Sequence, residues 1–117
     1  MKRDKITISE NTVIVTGSNI WMTEAEIVEL FGTTAGAVSS AIKAIIKSDA
    51  LHNYEVCKCI RPDSGNSADV YNMEVVVALA FRLNTYPASV FRKWLVRTAT
   101  APRRTTPPIV IQYKDGL

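Results

Sequence analysis

The sequence lacks the features that mark several protein classes. Its two cysteines, Cys57 and Cys59, are separated by one residue, and a bridge at that spacing would be badly strained. The longest apolar run, Val75 to Phe81, has seven residues, whereas a membrane-spanning helix needs roughly 20. We therefore expect no disulfide framework and no membrane segment, and free thiols favour a reducing compartment.

The beginning of the chain has no secretory pattern. Residues 1–5 are charged, but alternating residues follow where a signal peptide has an apolar core, so we expect a cytoplasmic protein. The 117 residues are 47% hydrophobic and 21% charged, which is ordinary globular usage. This length buries enough apolar surface for one core. We expect residues 1–117 to form a single domain with a net charge of +3.

Two hairpins are predicted from alternation and turn residues. Residues 5–9 and 12–16 alternate apolar and polar side chains on either side of a two-residue turn. Residues 55–60 are β-prone and lead into the turn-rich stretch 62–67, after which residues 70–71 can pair back.

Two short helices lie between these hairpins. Thr23 and Glu26 form a capping-box pattern that predicts a helix over 24–31, with Gly32 as its C-cap. Thr33-Thr34 then supplies a new N-cap for a helix that continues to about Lys47. The inward residues at helical spacing are Ile27, Leu30, Phe31, Val38, Ala41, Ile42 and Ile45.

Two further helices are predicted in the last third of the chain. Asn72 can cap a helix through residues 73–83 that is apolar nearly all round and therefore central, and residues 84–86 interrupt it. Pro87 suits the first turn of the last helix. The predicted inner stripe of that helix is Val90, Phe91, Trp94, Leu95 and Thr98, and Arg92, Lys93 and Arg97 are predicted to point away. After a proline-containing stretch, residues 109–111 can form a final strand.

This order of elements predicts an α+β fold of the winged helix-turn-helix type. It has an N-terminal β-hairpin, a second hairpin as the wing and two C-terminal helices. The second helix of the motif would present its outer face to the major groove of DNA, and the wing would contact phosphates. The predicted DNA-binding residues are Thr34, Gly36, Ser39, Ser40, Lys43, Lys47, Lys58 and Arg61.

The same pattern permits a second interpretation. The start of the proposed recognition helix has no Arg, Asn or Gln for bidentate base contacts, and Glu24, Glu26 and Glu29 make the preceding helix acidic. A helix this rich in small residues also suits close packing against a second protein. The small residues are Ala35, Gly36, Ala37, Ala41 and Ala44. A protein-interaction module without DNA binding therefore stays open.

Several segments resemble the DNA-binding-type domain of the RhuM-like virulence protein family. They are WMTEAEIVELFGTTAGAVSSAIKAIIKSDAL, YNMEVVVALAFRLNT and FRKWL, within residues 20–99. The resemblance implies a bacterial protein, often associated with mobile elements, with a helix-turn-helix near its start and a role in transcription regulation. Residues 100–117 lie beyond it. We expect binding to double-stranded DNA as a homodimer, because two weak recognition helices then add their affinities.

No enzyme site is predicted. His52 is the sole histidine and has no nucleophile at a recognised spacing. With Cys57 and Cys59 it supplies too few ligands for zinc, so we expect buried free thiols and no metal. Gly32, Gly36 and Gly65 do not form a phosphate-binding loop. We expect no cofactor and no small-molecule substrate.

Overall fold

The protein is an α+β structure with two small antiparallel sheets and helices packed around one core. The computed structural model describes residues 2–48, 53–61 and 67–101. The elements in chain order are β1 Ile6–Ser9, β2 Thr12–Val15, β3 Trp21–Met22, α1 Glu24–Phe31, α2 Ala35–Ser48, α3 Asn53–Val56, β4 Cys57–Ile60, β5 Ala68–Asn72, α4 Met73–Ala80 and α5 Tyr86–Thr100.

The helix ends follow the predicted capping residues. Thr23 accepts a hydrogen bond from the Glu26 amide while the Glu26 carboxylate accepts from the Thr23 amide, which completes the predicted capping box of α1. Gly32 ends α1 with φ 61° and ψ 48°, the left-handed conformation that favours glycine. Asn72 caps α4 as predicted. Thr85, which was not predicted as a cap, caps α5. The predicted starts of α1 and α4 are confirmed because a cap depends on local contacts alone.

The two sheets differ in how they are built. Sheet β1-β2 is the predicted hairpin, with Ile6 opposite Val15 and Ser9 opposite Thr12. The other sheet has the order β3-β5-β4, so the strand just before α1 pairs with the second strand of the later hairpin. The sequence did not predict β3, because two residues carry no alternation and its pairing partner is distant in the chain.

The core lies between the helices and the inner faces of both sheets. Phe31 of α1 meets Phe91 of α5 edge-on, with ring centroids 5.7 Å apart. The other large side chains that are essentially fully buried are Ile27, Ile45, Leu79, Val38, Val56, Val70, Val75 and Val76. The faces of α1 and α2 that were predicted to point inward therefore pack in the core.

Two predicted boundaries are wrong. α4 ends at Ala80 instead of continuing to Leu83. The amides of Phe81 and Arg82 bond three residues back, which tightens the chain into a turn and lets Leu83 enter the core while Phe81 stays exposed. The predicted strand over 55–60 begins only at Cys57, because a short helix, α3, occupies Asn53–Val56.

The predicted faces of α5 need two corrections. Arg92 turns inward, and its Nη1 donates to the carbonyl oxygens of Ala80 at 2.6 Å and Leu83 at 2.9 Å. The inner stripe also stops early, because every residue from 96 to 101 is exposed, including Thr98. Lys93 and Arg97 are exposed as predicted.

Three predicted features lie outside the described residues, namely His52, the turn-rich stretch over 62–66 with Gly65, and the strand over 109–111. Across the described ranges, no helix combines the length and the apolar character needed to cross a bilayer.

Candidate nucleic-acid interface

Helix α2 is held by α1 on one side and α4 on the other, which leaves its outer face open. Val38, Ile42 and Ile45 point into the core. On the opposite side Gly36, Ser40, Lys43 and Lys47 follow one another at spacings of four, three and four residues, and all four are exposed. We call these four residues the α2 stripe. It contains half of the predicted site residues.

The first residues of α2 have small side chains and leave an open surface. A methyl group placed on Gly36 would meet nothing within 4 Å, so the surface there is open. The Thr34 hydroxyl accepts a hydrogen bond from the Ala37 amide at 3.1 Å and therefore serves as the helix cap. Ser39 is half-buried beside the stripe. Of the predicted contact residues in this region, Ser40 presents its hydroxyl most freely.

The outer face of α2 carries only positive charge. α2 contains two lysines and no acidic residue. Two of the three acids of α1, Glu26 and Glu29, line a groove between α1 and β1 to which α2 contributes no residue. Glu26 is also paired with Arg3 at 2.7 Å. Glu24 instead acts on Cys57 and Tyr71 of the later hairpin. The predicted acidic field of α1 is thus partly neutralised at Glu26, and Glu24 keeps a negative charge near the later hairpin.

The pKa of Glu26 reflects its pairing with Arg3. Partial burial of the carboxyl acts to raise its pKa, but hydrogen bonds from Arg3 and from the Thr23 amide, with the Arg3 charge, leave the pKa below its ordinary value of 4.5. Arg3 also donates to the Trp21 carbonyl oxygen at 2.8 Å. The N-terminal segment is thereby tied to the start of α1.

The later hairpin places its two predicted cations differently. The Nζ of Lys58 lies 4.3 Å from the centre of the Trp21 ring, a cation–π contact that holds the ammonium against β3. Lys58 therefore has a structural partner that the sequence interpretation did not foresee, because strand pairing brings these residues together across the sheet. Arg61, just beyond β4, is exposed.

The cysteines share one face of β4 as predicted, but the expectation of burial is wrong for Cys59, which is exposed. Cys57 is half-buried and hydrogen-bonded to Tyr71. Burial, together with the negative charge of Asp69, raises the pKa of Cys57, and burial beside Cys57 raises the pKa of Tyr71 to about 12. A raised pKa lowers the fraction of Cys57 in the thiolate form, which is the nucleophilic form of cysteine.

A cation from the turn after α4, Arg82, reaches the end of α2. Arg82 donates to the Ser48 hydroxyl at 3.2 Å, and that hydroxyl donates to the Ala44 carbonyl oxygen at 2.6 Å. Arg82 is 34 residues away from Ser48 in the chain. No local pattern points to this contact, because the turn after α4 creates it.

The described residues contain no group of three or more His, Cys, Asp or Glu side chains placed to hold a metal ion. In comparisons with known proteins, no family model matches the chain, and no curated protein or solved structure matches it.

Proposed function

We propose that this chain is a double-stranded DNA-binding module that uses α2 as its recognition helix. The proposal interprets the fold as a winged helix-turn-helix: α1 and α2 cross through the Gly32 turn, and β4 and β5 form the wing beside them. The strand order β3-β5-β4 supports it, since it anchors the wing to the strand that precedes α1.

The observation that carries the proposal is the α2 stripe. Two lysines one helical repeat apart, at positions 43 and 47, stand exposed on a helix with no acidic residue. A duplex presents phosphates at close spacing, and each neutralised phosphate releases counterions and adds affinity. Arg82 reaches the end of α2 through its hydrogen bond to Ser48, and Arg61 is an exposed cation just beyond β4. Lys58 contributes only if it leaves the Trp21 ring.

The stripe also indicates the kind of recognition. Its N-terminal half carries Gly36 and Ser40, and neither can form the two-bond contacts to guanine or adenine that arginine, asparagine and glutamine form. We infer binding that depends on phosphates and groove shape more than on base identity. We further propose a homodimer, which doubles the number of phosphate contacts, in a cytoplasmic transcriptional regulator. The resemblance of residues 20–99 to the RhuM-like family also supports a role in DNA binding and transcription regulation.

The test reverses the charge of the stripe. Lys43→Glu combined with Lys47→Glu should abolish retardation of a mixed-sequence duplex in a gel. The reason is that two attractive phosphate contacts become repulsive. In the homodimer the double substitution removes four phosphate contacts, and about one unit of slope is lost with each contact. At salt concentrations low enough for residual binding to be measured, the slope of log affinity against log salt should therefore fall in magnitude by about 4.

The matched control reverses two exposed cations on α5. Lys93→Glu with Arg97→Glu changes the net charge by the same amount but leaves α2 intact. This variant should keep the wild-type salt slope. Equal losses in both variants would show that net charge alone governs binding and would reject the α2 stripe as the contact surface. Melting temperatures of both variants establish that each remains folded.

A protein-interaction module is the second candidate, and one observation favours it. Ala35, Gly36 and Ala44 are exposed together on α2, and small side chains permit close approach of another helix. In that case duplex binding is weak and insensitive to salt. Gly36→Gln separates the two functions: it should weaken a helix-packed assembly by steric overlap, but it leaves the phosphate contacts of Lys43 and Lys47 in place.

A further inference from the structure

A groove opens on the opposite side of α1 from α2. Its volume is about 560 Å³, within the range of roughly 300–1,000 Å³ that ligand sites occupy. Residues 3–8 form one wall, β3 contributes Trp21 and Met22, and α1 contributes Glu26, Glu29 and Leu30. Apolar side chains from all three elements reach it, so the groove suits a segment with both apolar side chains and backbone polar groups.

The wall formed by β1 is an open strand edge. The Thr16 amide donates to the Lys5 carbonyl oxygen at 3.0 Å, and the Lys5 amide donates to the Thr16 hydroxyl at 2.8 Å. Bonded and non-bonded pairs alternate in an antiparallel ladder, so Thr7 and Ser9 also bond across to β2. Ile6 and Ile8 therefore direct their amides and carbonyls away from β2. Just before β1 this edge is paired, because Asp4 forms a parallel bridge with Ile20 and its amide donates to the Asn19 carbonyl oxygen at 2.9 Å. Beyond Asp4, no backbone hydrogen bond outside the hairpin involves the amide or the carbonyl of Ile6 or Ile8 among the described residues.

The shape of the groove limits what can use this edge. α1 contributes Glu26, Glu29 and Leu30 to the same groove, so the occupant that we consider is a single extended segment. Such a segment would complete a third strand beside β1 and pack its side chains on Met22 and Leu30. Main-chain hydrogen bonds would supply affinity, as in other strand-addition contacts.

The chain itself contains a suitable segment. Residues 109–113, Ile-Val-Ile-Gln-Tyr, form a β-prone run beyond the described residues. The preceding helix α5 packs on both strands of the hairpin, and Tyr86 at its start is hydrogen-bonded to Asn11 in the hairpin turn. Residues 102–108 can span up to about 23 Å.

The charges at the rim match this segment. Arg3 and Glu26 neutralise each other, and within the described part of the chain they form the one ion pair. Asp4 also lines the groove, and its carboxylate accepts hydrogen bonds from the Thr16 hydroxyl and the Asn19 amide. Lys5 and Glu29 add one charge of each sign to the lining. Lys114 and Asp115 directly follow the apolar run and offer the complementary pair.

We propose that residues 109–113 of the same chain dock in this groove as a third strand on the edge of β1. The backbone groups of Ile6 and Ile8 are the hydrogen-bonding positions. This docking is independent of duplex binding, because the groove and the α2 stripe share no residue.

The test is amide hydrogen exchange on the full-length chain. In the wild type the amides of Ile6 and Ile8 should exchange slowly. Val110→Pro, which removes a donor and disfavours pairing, should accelerate both by about tenfold or more, because local opening then needs no strand release. Ile109→Asp with Ile111→Asp should have the same effect by opposing burial. Asp115→Pro, just beyond the run, is the matched control and should leave both rates unchanged.

The Thr7 amide is the internal reference, because it donates to β2 in every variant. If Ile6 and Ile8 exchange equally fast in the wild type and in both variants of the run, the proposal is overturned. Protection that appears only as protein concentration rises would assign the strand to a second copy and also overturn it. Duplex binding by Val110→Pro should equal that of the wild type, so failure here is distinguishable from failure of the proposed function.

Discussion

The contact between Arg92 and the end of α4 gives the sharpest stability prediction. The Arg92 guanidinium donates to the carbonyl oxygens of Ala80 and Leu83, groups that the end of α4 leaves without intrahelical partners. It also places a positive charge at the negative end of the helix dipole. Arg92→Ala removes both effects and leaves two part-buried carbonyls without their donor.

The size of the effect follows from these bonds. A hydrogen bond involving a charged group contributes about 1.5–3 kcal/mol, and since Arg92 is only half-buried we expect Arg92→Ala to lower the free energy of unfolding by about 2 kcal/mol. For a domain of this size the melting temperature should fall by about 8–16 °C. Thermal and urea unfolding measure both quantities.

Two controls isolate the cause. Lys93→Ala removes the same charge from the adjacent, exposed position and should change stability by less than about 0.5 kcal/mol. Arg92→Lys keeps the charge but not the paired geometry, and should fall between the wild type and Arg92→Ala. If Arg92→Ala is no more destabilising than Lys93→Ala, the argument that Arg92 closes α4 is refuted.

Two other predictions concern the N-terminal contacts and the last helix. Trp94 packs on Phe91 with ring centroids 5.5 Å apart, but it is only half-buried. Trp94→Ala should therefore lower the free energy of unfolding by about 2–3 kcal/mol, which is less than the roughly 3–5 kcal/mol lost when a fully buried tryptophan is truncated. An unchanged melting temperature would contradict this. The depressed pKa of Glu26 implies stability that is present above pH 4.5 and lost as the pH falls through the lower, folded-state value. Glu26→Gln should flatten the acid limb of the curve of stability against pH, by at most about 1 kcal/mol for this partly exposed pair. Glu29→Gln is the control and should not flatten it. Parallel curves for the two variants would refute the role of Arg3.

The candidate site shows where sequence reasoning succeeds. Helical spacing separates the inward Val38, Ile42 and Ile45 from the outward Lys43 and Lys47, because the period of an α-helix fixes which residues share a face. The structure confirms this division. The exposed face of α2 was therefore predictable before any tertiary contact was known.

The hairpin residues show where such reasoning fails. Alternation did not indicate that the pairing of β3 with β5 and of β5 with β4 would bring Lys58 over Trp21. The contact of Lys58 with phosphates stays a prediction. Cys59 was expected to be buried and is exposed, because that end of β4 extends beyond the core. Alternation along one strand predicts which face of the sheet a side chain occupies. It does not predict which other residues cover that face.

By itself, the sequence determined the starts of α1, α2 and α4, the first hairpin and the two faces of α2, since caps, turns and periodicity act over a few neighbouring residues. Only the tertiary structure decided the third strand at Trp21–Met22, the early end of α4 and the inward turn of Arg92. Each of these depends on groups that are distant in the chain and meet only when the core forms. Burial and hydrogen bonding between those groups then outweigh the local preferences that the sequence displays.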